Sequence, residues 1–144
     1  MKEKVKWAFI LDKDEFLRLS LNKILKKYGF QVEEIEDISG LEKRKKDVKG
    51  GMILADLEME GLERWVPLLK RWNDRFILMS PQITDDLVQR LKQIGIHRIL
   101  KKPVEPKMLR KVIREMSFPD GVTFTSSVKQ REGSRLNQKG GEDR

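Results

Sequence analysis

Short apolar runs alternate with amphipathic stretches along the first 116 residues, and most runs close on a polar side chain. Val5–Leu11 ends at Asp12, Met52–Ala55 at Asp56, Phe76–Met79 at Ser80-Pro81, and His97–Leu100 at Lys101-Lys102-Pro103. Runs this short and this apolar predict strands buried on both faces. Phe30–Ile35 supplies one more, with Phe30, Val32 and Ile35 inward. Between the strands the period changes to that of a helix. Glu15–Tyr28 carries Phe16, Leu17, Leu19, Leu21, Ile24, Leu25 and Tyr28 and is stopped by Gly29. Ile38–Asp47 predicts a short charged helix ended by Gly50-Gly51. Leu62–Trp72 puts Leu62, Trp65, Val66, Leu69 and Trp72 on one face. Pro67 fits only a first turn, which places the start of that helix near Glu63 or Arg64. Thr84 before Asp85-Asp86 is a cap followed by an acidic first turn, for a helix running to Ile94 and ended by Gly95. Glu105–Met116 is the last helix.

Five strands alternating with five helices predict an α/β domain over residues 1–116, a parallel sheet with helices on both faces. From residue 117 the pattern stops, and glycine, serine, glutamine and asparagine take over. Residues 117–144 are therefore expected to form a flexible tail, with Val122–Val128 the one stretch able to make a short strand.

Composition narrows the chemistry. The chain has 144 residues and no cysteine, which excludes disulfides, thiolate metal sites and a cysteine nucleophile. A single histidine, His97, excludes a histidine-cluster metal site and reads as a surface or strand-edge residue. No run approaches the roughly 20 apolar residues that cross a bilayer, and the N-terminus lacks a signal-peptide pattern. A soluble, cytoplasmic protein with no membrane contact is the expectation. The formal charge is +8, with 38% of residues charged, and most of the excess lies in the body rather than the tail. The basic stretch Glu42–Asp47 reads as a solvated helix face, so nucleic acid is not expected as a partner.

In a doubly wound sheet, ligands sit beyond the carboxyl ends of the strands. Asp12, Lys13, Asp14, Asp56, Ser80, Lys101 and Lys102 all fall there. A carboxylate such as Asp56 can attack phosphorus to give an acyl phosphate. A lysine, a hydroxyl and a Mg²⁺ held by neighbouring carboxylates would offset the charge. The stretches Phe9–Asp12, Ile53–Gly61, Ile77–Ser80 and Gly95–Pro103 occur in order, three ending a strand and Ile53–Gly61 running past the end of its own. With them the chain resembles the receiver domain of two-component response regulators, over about residues 4–116.

That resemblance implies a flavodoxin-like (βα)5 fold with strand order 2-1-3-4-5 and a cis Lys102-Pro103 bond. It implies Asp56 as phosphoacceptor, Ser80 as the hydroxyl that meets the phosphoryl group, and Lys102 as its cation. The Mg²⁺ ligands would come from Asp12, Asp14, Asp56 and Glu58. The implied donor is a histidine kinase or phosphotransfer protein. The implied output is an unidentified protein, with homodimerisation through about Asp85–Met116. Such a chain is a phosphoacceptor rather than an enzyme. Three departures stand against the pattern. Lys13 occupies the second position of the acidic pair, at the family's usual spacing from Gly29, so metal affinity should be weakened or lost. Pro81 follows the hydroxyl where a small residue is usual. Ile99 replaces the aromatic that commonly changes rotamer on strand five. The alternative reading is a degenerate, phosphorylation-independent receiver that binds partners, with Lys13 in place of a metal ligand.

Overall fold

The computed structural model describes residues 5–116 and 118. The flexible tail expected over 117–144, Phe118 apart, and the short strand at Val122–Val128 lie outside the described residues. Five strands form one parallel sheet in the order β2-β1-β3-β4-β5: β1 Lys6–Leu11, β2 Phe30–Glu34, β3 Met52–Asp56, β4 Phe76–Ser80 and β5 Ile99–Lys101. The helices are α1 Glu15–Lys27, α2 Lys45–Lys49, α3 Met59–Arg64, α4 Val66–Arg71, α5 Asp85–Ile94 and α6 Pro106–Glu115. A 3₁₀ segment, Ile38–Arg44, leads into α2. None of the described helices is long and apolar enough to cross a membrane.

Alternation along the strands makes two cores, one on each face of the sheet. Ala8, Ile10, Met52, Leu54, Ile77, Met79 and Leu100 face α1 and α6, where Leu21, Leu25, Leu109 and Ile113 close the layer. Phe9, Ile53, Ala55, Phe76 and Leu78 face the other helices, against Ile38, Leu41, Leu62, Leu69, Trp72, Leu87 and Leu91. The three central strands are buried on both faces, so they read as unbroken apolar runs in the sequence.

Several elements differ from expectation for definite reasons. The Leu62–Trp72 helix begins earlier, at Met59, and is broken at Trp65 (φ −110°, ψ 18°) into α3 and α4. Pro67 has no N–H for the carbonyl four residues back, so the ladder cannot run through. Placed in the first turn of α4, it lacks only a bond that position would not make. The segment after β2 is mostly 3₁₀ rather than α. β5 starts at Ile99, two residues late, although Leu78 N already donates to Arg98 O at 2.9 Å. His97 is exposed in the preceding connection. On α1, Phe16 and Leu19 point to solvent, 82% and 53% exposed, while Leu21 and Leu25 make the core contact.

Two glycines set close approaches at the amino ends of the strands. A side chain at Gly51 would collide with the carbonyl of Trp7, so α2 could not feed β3 beside β1. Gly95 ends α5 at φ +99°, a conformation open to glycine at little cost.

Candidate functional site

Four side chains meet at the carboxyl ends of β1, β3, β4 and β5. Asp12 follows β1, Asp56 ends β3, Ser80 ends β4 and Lys102 follows β5. Parallel pairing puts these ends side by side, and the backbone ties two of them directly, with Lys102 N donating to Ser80 O at 2.8 Å. The Lys102-Pro103 peptide is cis.

Lys102 Nζ donates to Asp12 Oδ2 at 2.9 Å and to Asp56 Oδ2 at 2.6 Å. The Asp12 side chain is 1% exposed, Asp56 27% and Lys102 17%. Asp12 Oδ1 also accepts from Asp14 N at 2.8 Å, which fixes the carboxylate. Burial alone would lower the Lys102 pKa. Its hydrogen bonds to Asp56 and Asp12, with the charge of both carboxylates, outweigh that and hold the ammonium above the ordinary lysine value. The cluster is therefore one buried and one half-buried carboxylate bridged by a single protonated cation.

The remaining candidates are placed differently. Asp14 caps α1, its Oδ1 accepting from Phe16 N at 3.0 Å and Leu17 N at 3.3 Å. Glu58 is exposed just before α3 and makes no side-chain cap bond. It shares a cleft of about 380 Å³ with Asp56, Ser80, Gln82 and Thr84. The Ser80 hydroxyl donates to Gln82 O at 2.7 Å and accepts from Gln82 N at 3.3 Å, a closed local turn. Lys13 is exposed beside a second cleft lined by Leu11, Arg18, Glu34 and Glu36. Arg18 went unnoticed in the sequence. It donates to the Asp12 carbonyl at 2.7 Å and pairs with Glu34, fastening the β1 end to the β2 end. Its place one turn after the Asp14 cap is the only signal that could have found it.

Mg²⁺ asks for six oxygens in near-octahedral array, commonly one or two carboxylates plus waters. Among the described residues no group of three or more Asp, Glu or His could hold a metal ion. Asp12 and Asp56 share the Lys102 ammonium, Asp14 uses Oδ1 to cap α1, and the exposed Lys13 stands between Asp12 and Asp14 in the sequence. The described carboxylates are not gathered into a preformed Mg²⁺ site.

Comparison with known proteins agrees with the architecture. The chain matches the response regulator receiver domain family over residues 8–114. The Vibrio cholerae chemotaxis protein CheY4 superposes with a TM-score of 0.65 at 20% identity, over 79% of this chain and 100% of its own. A response regulator protein from Burkholderia multivorans gives 0.61 at 18%, over 76% and 93%. The beryllofluoride-activated NtrC4 receiver domain dimer gives 0.61 at 21%, over 76% and 94%. No curated protein is similar enough to be matched.

Proposed function

Because the chain belongs to the response regulator receiver family of two-component systems, we propose that it signals by partner contacts with a site whose charge is supplied from within. The single observation that carries this reading is Lys102 bonded to both Asp12 and Asp56, with Lys13 next to Asp12 in the sequence. One ammonium between two carboxylates leaves a residual charge near −1. A cation at Lys13 would repel a dication brought near it, and Lys102 holds the carboxylates together without a metal. Ile99 supports the same reading. It packs half-buried among the residues of the second core and has no ring to swing.

A second reading, phosphoryl acceptance on Asp56, is favoured by one feature. The Asp56 carboxylate opens on the cleft it shares with Ser80, with Lys102 Nζ 2.6 Å away. There the carboxylate oxygen would attack phosphorus, and the bond from phosphorus to a histidine nitrogen of a kinase or phosphotransfer protein would break. Lys102 would move its hydrogen bond to the new phosphoryl oxygens. The Ser80 hydroxyl would first leave Gln82. Output would pass to an unidentified cytoplasmic protein or a second copy through about Asp85–Met116; the NtrC4 receiver domain is itself a dimer.

Intact mass after incubation with acetyl phosphate or phosphoramidate, with and without Mg²⁺, separates the two. The first reading expects no added phosphoryl mass under either condition. A Mg²⁺-dependent gain of one phosphoryl group, lost in Asp56→Asn, would replace it with the second.

A further inference from the structure

The helices run antiparallel to the strands, so the C-termini of α1, α2, α4, α5 and α6 gather at the amino ends of the sheet, opposite the site just described. We propose that this basic end docks on the phosphate backbone of double-stranded nucleic acid, without reading sequence. The four helix-to-strand corners and the end of α6 each present an exposed cation there: Lys27 on α1, Lys49 on α2, Lys70 on α4, Lys92 on α5 and Arg114 on α6. None of the five has an ion-pair partner among the described residues.

Cations at helix C-termini can simply answer the helix dipole and the last carbonyls. Here other groups already bond a carbonyl at the end of α1 and of α5, and one in the connection beyond α2 and beyond α4. Lys6 Nζ donates to Tyr28 O at 3.0 Å, Arg75 Nε to Gly51 O at 2.8 Å, Asn73 Nδ2 to Ile94 O at 3.2 Å and Arg98 Nη1 to Asp74 O at 2.8 Å. The outer lysines are surplus to these bonds, and the connections they stand on are held rigid. Five strands at about 4.8 Å spacing make this end about 19 Å wide before the helices are added, enough to meet several phosphates of a duplex.

The other polyanions fit less well. A second copy would have to offer its acidic rim, but Arg18, Arg44, Arg90 and Lys102 already pair carboxylates on or near it, and two chains of +8 repel. An anionic membrane is normally gripped by apolar side chains as well as charge. The large exposed apolar residues Phe16, Leu19, Met59, Ile83 and Met108 lie toward the other end, and only Val5 stands at the basic one. Among the described residues no exposed aromatic side chain offers a stacking platform for single strands there.

The test is fluorescence anisotropy of a labelled 20-base-pair DNA duplex of arbitrary sequence, titrated with the full chain from 20 to 200 mM salt. The expected result is saturable binding whose logarithm falls with log salt at a slope of about −4, near 0.9 per phosphate neutralised. The double variant Lys49→Glu/Lys70→Glu should bind at least about tenfold more weakly with a shallower slope. Lys101→Glu/Lys107→Glu, an equal change in net charge at the opposite end, should lose under about threefold. Matching urea midpoints confirm that both variants fold. Equal losses in the two variants would overturn the proposal, because net charge alone would then explain binding. So would an absence of binding at 20 mM salt. Binding to phosphatidylglycerol vesicles with none to the duplex would overturn it in favour of a lipid surface. The outcome is independent of the reading of Asp56.

Discussion

The two ends of the sheet handle charge in opposite ways. At the carboxyl ends, helix first turns bring Glu15, Glu60, Asp85 and Asp86, and the strand ends add Asp12 and Asp56. Asp12 and Asp56 are paired inside the molecule, sharing Lys102, and nearby Glu34 and Glu63 pair with Arg18 and Arg90, while Glu15, Glu60, Asp85 and Asp86 are exposed. At the amino ends the last turns bring Lys27, Lys49, Lys70, Lys92 and Arg114, exposed and unpaired. At one end the two strand-end carboxylates and a lysine are spent on internal geometry, and at the other the five last-turn cations are left to solvent.

Removing one cation from each end should break the symmetry of that comparison. Lys102→Met leaves two carboxylates facing each other with no cation between them. The expected loss is about 3 kcal/mol of stability in urea unfolding at pH 7, partly recovered when Asp56→Asn is added. Lys49→Gln at the basic end should change stability by less than about 0.5 kcal/mol. Equal effects would mean that the Lys102 bridge contributes nothing special.

Asp14 sharpens the contrast within the acidic end. As a helix cap rather than a metal ligand, its replacement by alanine should cost about 1 kcal/mol, whether or not Mg²⁺ is present. A cost that appears only with Mg²⁺ would restore it to a ligand set.

The smallest effect is in pH. The folded pKa of Lys102 is raised above its unfolded value, so its contribution is complete below the ordinary lysine range. It declines as pH rises through the folded value. The stability difference between the native chain and Lys102→Met should hold steady from pH 7 to about 10 and shrink above that, by urea midpoints at each pH. A difference already shrinking near pH 8 would contradict the raised value.

Much of this was legible in the residues. Apolar runs closing on Asp12, Asp56, Ser80 and Lys102 gave the strand ends, and parallel alternation brought those ends together. Pro67 marked a helix start correctly but hid the turn at Met59–Arg64, because a broken helix keeps the same apolar face on both sides of the break. The 3₁₀ character of Ile38–Arg44 had no signal beyond a short, charged stretch. Asp14 carried a readable capping signal, an aspartate just before a helical stripe, that its closeness to Asp12 obscured. Phe16 and Leu19 were assigned to a stripe wider than the one α1 buries. The charged ends were the least visible, since acidic and basic residues alternate along the chain and separate only once every helix is given a direction.

The central claim is that Lys13 and Lys102 together take the place of a divalent cation. Its most direct test is a calorimetric or fluorescence titration of the native chain and of Lys13→Asp with Mg²⁺. The account predicts no saturable binding by the native chain up to about 10 mM Mg²⁺ and a clear gain of binding in the variant. Submillimolar binding by the native chain, unchanged by the substitution, would contradict it.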